Sequence, residues 1–113
     1  MWIMIAGPYG SGGADAETRQ MRLAALNRAA LDVLARGHVP VIGVNMALPM
    51  IEEAGAARYE EIMMPVSLAL AERCDAILRI GDESAGADAE VARIQGAGGT
   101  VFTDLAQIPE ATP

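Results

Sequence analysis

Between Asp82 and Glu90 the chain sets a hydroxyl, a glycine and a carboxylate (Ser84, Gly86 and Glu90) where an apolar run gives way to a helical one. Ile77, Leu78 and Ile80 read as the end of a strand, and Val91 through Ala97 as the body of a helix. At such a junction the free backbone N–H groups and the positive end of the helix dipole favour an anionic ligand. Glu90, about two turns into that helix, faces whatever the loop holds. A second small-residue loop, Gly7-Pro8-Tyr9-Gly10-Ser11-Gly12-Gly13, follows another apolar run and carries a phenol. These residue types suit a phosphorylated or sugar-bearing small molecule with a carboxylate aimed at it.

The elements that must position them alternate. Trp2 to Ala6 predicts a buried strand, and Asp15 to Arg36 a helix with Leu23, Leu26, Ala30, Val33 and Leu34 on one face. His38 to Val44 reads as a second strand, with Pro40 near its start where a lost N–H is tolerated. Asn45 to Gly55 is ambiguous, with a short helix after Pro49 as one option. Arg58 to Arg73 reads as helical, with Pro65 either kinking one helix or opening a second. Asp75 to Ile80 is the third strand, Ser84 to Ala97 a helix, Thr100 to Thr103 the fourth strand, and Asp104 to Pro113 a short acidic tail.

Strands alternating with helices imply right-handed crossovers. The expected architecture is one α/β domain over residues 1–113: three layers, doubly wound, with a mostly parallel sheet of four to five strands, Rossmann- or flavodoxin-like. Ligands in such sheets bind beyond the carboxyl ends of the strands. The loops at 7–13 and 81–86 both follow strands, so both are expected on one rim.

Composition narrows the function. With 113 residues, eight Lys plus Arg against fifteen Asp plus Glu and a net charge of −7, the chain is a poor match for a nucleic acid polymer. All its cations are Arg. Without a lysine to reach the β- and γ-phosphates, a Walker-type NTPase is rejected. One cysteine, Cys74, permits no internal disulfide and suits a reducing compartment. One histidine, His38, makes a metal centre or a Cys–His nucleophile a poor reading. No signal peptide or bilayer-length apolar run is visible. A soluble, cytoplasmic protein without metal, cofactor or membrane partner is expected.

Gly7-Pro8-Tyr9 after the first strand, Cys74-Asp75-Ala76 before the third, and Ser84-x-Gly86-x-x-x-Glu90 after it occur in an order that resembles the nucleoside 2-deoxyribosyltransferase superfamily. That superfamily includes transferases that exchange the base on a deoxyribose, 5′-monophosphate N-glycosidases and small relatives, to which this chain looks closest. The resemblance implies that Glu90 attacks C1′ of the sugar and that Tyr9 orients the nucleoside and the glutamate. It implies that Ser84 binds a 5′-phosphate, and that Gly7, Pro8, Gly10 and Gly86 shape the substrate site. It also implies a homo-oligomer, a dimer or tetramer, with a neighbour closing the pocket. One position departs: where the family carries an acid that serves the leaving base, spacing places Ser67. Glu60, Glu61 or Asp15 substitutes only if folding brings it to the rim.

Each signal has a plainer counterpart. Glu90 alone is an ordinary solvated helix glutamate, Ser84 an N-cap, Tyr9 a rim residue, and the glycines turn residues. Asp82, Glu83 and Asp88 read as a solvated acidic loop that disfavours a phosphate and so favours an uncharged nucleoside over a monophosphate. Cys74 reads as a small apolar residue beside the third strand. Met46, Met50, Met63 and Met64 read as core or subunit contact. The rivals to a glycosidase or transferase are a non-catalytic nucleotide- or sugar-phosphate-binding module and a structural α/β protein.

Overall fold

The computed structural model describes residues 1–111. Four strands, β1 (Trp2–Ala6), β2 (Val39–Val41), β3 (Ala76–Arg79) and β4 (Thr100–Phe102), form one parallel sheet in the order β2-β1-β3-β4. Its helices are α1 (Ala16–Ala35), α2 (Gly43–Ala54), α3 (Tyr59–Arg73) and α4 (Ala85–Gly96). The register pairs Ile3 with Ala76 and Ile5 with Leu78, and Ala76 with Thr100. This is the α/β, doubly wound, Rossmann- or flavodoxin-like architecture expected, with four strands.

Pleat alternation divides the strand residues between two cores. Ile3, Ile5, Ala76, Leu78 and Phe102 pack with Leu26 and Val33 of α1 on one face. Met4, Ala6 and Ile77 pack on the other with Ala71 and Cys74 near the end of α3 and Ala87 and Ile94 of α4. A third cluster joins α2 to α3 through Ala47, Ile51 and Met63. Cys74 is buried in the second core, where desolvation raises its thiol pKa, with Asp75 adding to the shift.

Local chemistry accounts for the helix ends. The Asp15 carboxylate accepts from the Thr18 N–H at 2.8 Å and caps α1, while Glu17 faces the helix dipole. Ser84 caps α4 by accepting from the Ala87 N–H at 3.2 Å.

Several boundaries differ from the sequence expectation. The second strand ends at Val41, and Gly43 and Val44 are the first turn of α2. Pro49 and Pro65 both lie inside continuous helices. Each proline is exposed, as is the residue four positions before it, Asn45 and Glu61, so water can satisfy the carbonyl left without a donor. Leu34, expected on the buried face of α1, is 56% exposed, with Leu31 and Met21 also outward. Met46 and Met50 are exposed as well, so neither is core. The acidic tail is partly structural: Leu105–Gln107 form a 3-10 turn and Ile108 is 1% exposed in the α1-side core. Arg36 holds this segment by donating to the Ile108 carbonyl at 2.8 Å. Among the described residues no helix is long and apolar enough to cross a membrane.

Candidate functional site

The parallel sheet changes winding direction between its two central strands. From β1 the chain crosses to α1 on one face, and from β3 to α4 on the other. The two outgoing loops separate there and leave a crevice. Both glycine-bearing loops lie on it. The Ser11 hydroxyl donates to Ser84 Oγ at 2.9 Å, which fixes the β1–α1 loop to the start of α4. Arg22, reaching up from α1, donates to the carbonyls of Tyr9 at 3.0 Å and Ser11 at 2.9 Å and holds the first loop in place. Arg79 does the same for the second loop, donating to the carbonyls of Ile80 and Asp82 and pairing with Asp88 at 3.3 Å. Asp88 is thus paired, while Asp82 and Glu83 are exposed as expected.

The loops enclose a cavity of about 480 Å³, a volume suited to a small molecule. Tyr9, Gly7 and Gly10 enter its wall from the first loop, and Ser84, Gly86 and Glu90 from the α4 side. The fold therefore brings together six of the seven residues expected at the site. Pro8 is the exception. It is buried and packs against Gly81, supporting the second loop from behind the cavity wall. Gly7 is there because the loops are so close: a Cβ would stand 2.8 Å from the Ile80 carbonyl oxygen.

Glu90 is the buried carboxyl of this cavity. Its side chain projects from the buried face of α4 and the residue is 9% exposed. Among the described residues its carboxyl has no hydrogen-bond partner and opens onto the cavity. Burial raises its pKa to about 7, and the nearby Arg79 guanidinium offsets part of that rise. Near neutral pH the group is thus divided between a carboxylate, which can act as nucleophile or base, and an acid. Ser84 Oγ accepts from both Ser11 and Ala87, which leaves its own proton for a ligand.

Two groups of the wall carried no signal strong enough to be named from sequence, Tyr59 and Arg19, while Met64, read as core or subunit contact, also lines it. Tyr59 is one of only two tyrosines in the chain, and that scarcity was the available clue. Its hydroxyl lies over Gly10, 3.2 Å from where a Cβ would stand. Its pKa is raised by burial first and then by the neighbouring Tyr9 phenol, while Arg19 acts in the opposite direction. Of the three carboxyls considered as replacements for an acid at Ser67, Glu60 alone lines the cavity, as an exposed residue. Asp15 is engaged as a helix cap and Glu61 pairs with Arg58 at 2.9 Å. Ser67 itself lines the cavity and is 3% exposed.

Among the described residues no three His, Cys, Asp or Glu side chains stand together as metal ligands do. His38 is occupied elsewhere: Nδ1 meets the amino terminus at 2.9 Å and Nε2 the Pro109 carbonyl at 2.6 Å. A second groove, between α3 and α4, is lined by Leu68, Ala89, Ala92 and the Glu72–Arg93 pair and holds no unpaired reactive group among the described residues. No protein-family model matches the chain, and no curated protein or solved structure does.

Proposed function

We propose that this chain is an N-glycosidase or deoxyribosyltransferase acting on nucleosides or nucleoside 5′-monophosphates, with Glu90 as nucleophile. The observation that carries the proposal is the convergence of a buried, unpaired carboxyl and the Tyr9 phenol on one cavity beside the open start of α4. The motif resemblance assigns the same residues the same roles.

In this mechanism the ionised Glu90 attacks C1′ as the C1′–N bond breaks through an oxocarbenium-like transition state. The electron pair of that bond leaves with the base, and the sugar remains as an ester of Glu90. Water, or the nitrogen of a second base, then attacks C1′ and returns Glu90 as a carboxylate. Tyr9 holds the sugar and the carboxylate in line. Ser84 donates its free proton to a sugar hydroxyl or a 5′-phosphate, and the free N–H groups of the first turn of α4 add to that contact. Met63 and Met64 supply apolar wall for the base. A dimer or tetramer in the cytoplasm belongs to the same proposal, with the outward Leu31, Leu34 and Met46 available for subunit contact.

Incubation with a panel of nucleosides and their 5′-monophosphates, read as free base by chromatography, tests it. Release by the wild type that is lost in Glu90→Ala supports the assignment. Equal release by the variant removes Glu90 from the chemistry. The second reading, a non-catalytic nucleotide- or sugar-phosphate-binding module, is favoured by Ser67 at the position where the family resemblance expects an acid. Calorimetric binding of the same ligands without any release would select it.

A further inference from the structure

The cavity contains a corner that the mechanism above leaves unused. Ser67 is 3% exposed, lines the cavity, and its hydroxyl makes no hydrogen bond to another described residue. Beside it begins α2, a helix of 12 residues whose first turn reaches the cavity wall at Val44. Ile42 stands at the cap position with no side chain able to satisfy that turn. The first intrahelical bond of α2 is from the Met46 N–H to the Ile42 carbonyl, so the N–H groups of Gly43, Val44 and Asn45 precede the ladder. Gly43 lets the two elements meet: a Cβ there would stand 2.3 Å from Ser67 Oγ. A hydroxyl that opens on the cavity, from a residue only 3% exposed, thus lies against the first turn of a helix, at the edge of a space large enough for a ligand.

We infer that Ser67 and the first turn of α2 form an acceptor site for the departing base. That site stabilises a leaving group that departs as an anion rather than one that must be protonated, so the substrate class is the 2-oxopyrimidine nucleosides. The inference rests on the glycosidase or transferase proposal. When the C1′–N bond of such a nucleoside breaks, the electron pair moves onto N1 and is shared with the O2 carbonyl. A donated hydroxyl proton and a helix N-terminus stabilise that oxygen as its charge grows, which is the logic of an oxyanion hole. Hydrolysis then completes the balance: water attacks C1′, Glu90 departs as carboxylate, and the proton released by the water goes to the base anion. No carboxylic acid is required at the base. The serine at a position where an acid is expected becomes a determinant of specificity.

Two measurements on the full chain test this. Release rates are compared across 2′-deoxyuridine derivatives whose 5-substituents span leaving-group acidity, and across purine deoxynucleosides, for wild type, Ser67→Ala, Ser67→Gly and Glu60→Gln. Binding of uracil alone is followed by calorimetry for the same proteins. The expected result is faster release from more acidic pyrimidines, slow purine release, and a loss of about 10- to 100-fold on pyrimidines in both Ser67 variants. Glu60→Gln loses less pyrimidine release than either Ser67 variant. Uracil binding that weakens in the Ser67 variants completes the support.

Purines released as fast as pyrimidines, with a loss in Glu60→Gln, would overturn the inference and assign the leaving group to Glu60 as an acid. Release indifferent to Ser67 would overturn it while leaving the glycosidase proposal standing. Uracil binding that depends on Ser67 without release from any nucleoside would keep the acceptor site and remove the catalytic proposal.

Discussion

Replacing Glu90 by Gln keeps the shape and polarity of the side chain and removes its titration, so it isolates the cost of a buried carboxylate. The pKa of about 7 lies above the unfolded value near 4.5, so the folded chain holds this proton more tightly than the unfolded one. The associated stability is present at low pH and is lost as pH rises from 4.5 through 7. By linkage the loss reaches about 3 kcal/mol at pH 8, most of it incurred above pH 5. Urea unfolding at the two pH values therefore shows Glu90→Gln gaining about 2–3 kcal/mol on the wild type between pH 5 and pH 8. Catalysis depends on the same proton in the opposite sense. A nucleophilic carboxylate makes kcat/KM rise with pH and level off above about 7. Parallel stability curves for the two proteins over pH 5 to 8 would refute the burial assigned to this carboxyl. A rate that falls through pH 7 would make Glu90 an acid and not the nucleophile.

Other positions give sharp expectations. Tyr9→Phe retains the ring in the cavity wall and removes its hydroxyl; base release falls by about 10-fold or more while the melting temperature stays within a few degrees. Gly43→Ala forces a Cβ against Ser67 and costs about 1–3 kcal/mol by chemical denaturation, recovered in part by a second change, Ser67→Gly. Ile108→Ala opens a cavity between the carboxyl-terminal segment and α1 and costs about 2–4 kcal/mol in the same assay, an effect that a merely solvated tail would not show.

Local pattern was enough for the fold class and for grouping part of the candidate site. Each strand is an apolar run, the helices carry their own caps at Asp15 and Ser84, and an alternating order of the two leaves a parallel sheet with its ligand rim at the strand ends. Ser84, Gly86 and Glu90 share one short segment, so their grouping follows from helix geometry without tertiary information. Pro49 and Pro65 left the sequence reading open because a proline's effect depends on whether the orphaned carbonyl meets water, and exposure is a property of the packed molecule. Ile108 was hidden for a related reason: one apolar residue in an acidic stretch has no periodicity, and only α1 beside it supplies the burial.

Tertiary structure decided which side chains share a cavity with Glu90. Tyr9, Tyr59 and Ser67 are far from it along the chain and reach its cavity through the order of the sheet and the packing of α2 on α3. It also decided that the carboxyl lies in a cavity wall where burial governs its proton. Spacing along the chain places a side chain on a face of its own helix. The solvent and neighbours that set its charge belong to other segments, and only their packing brings them there.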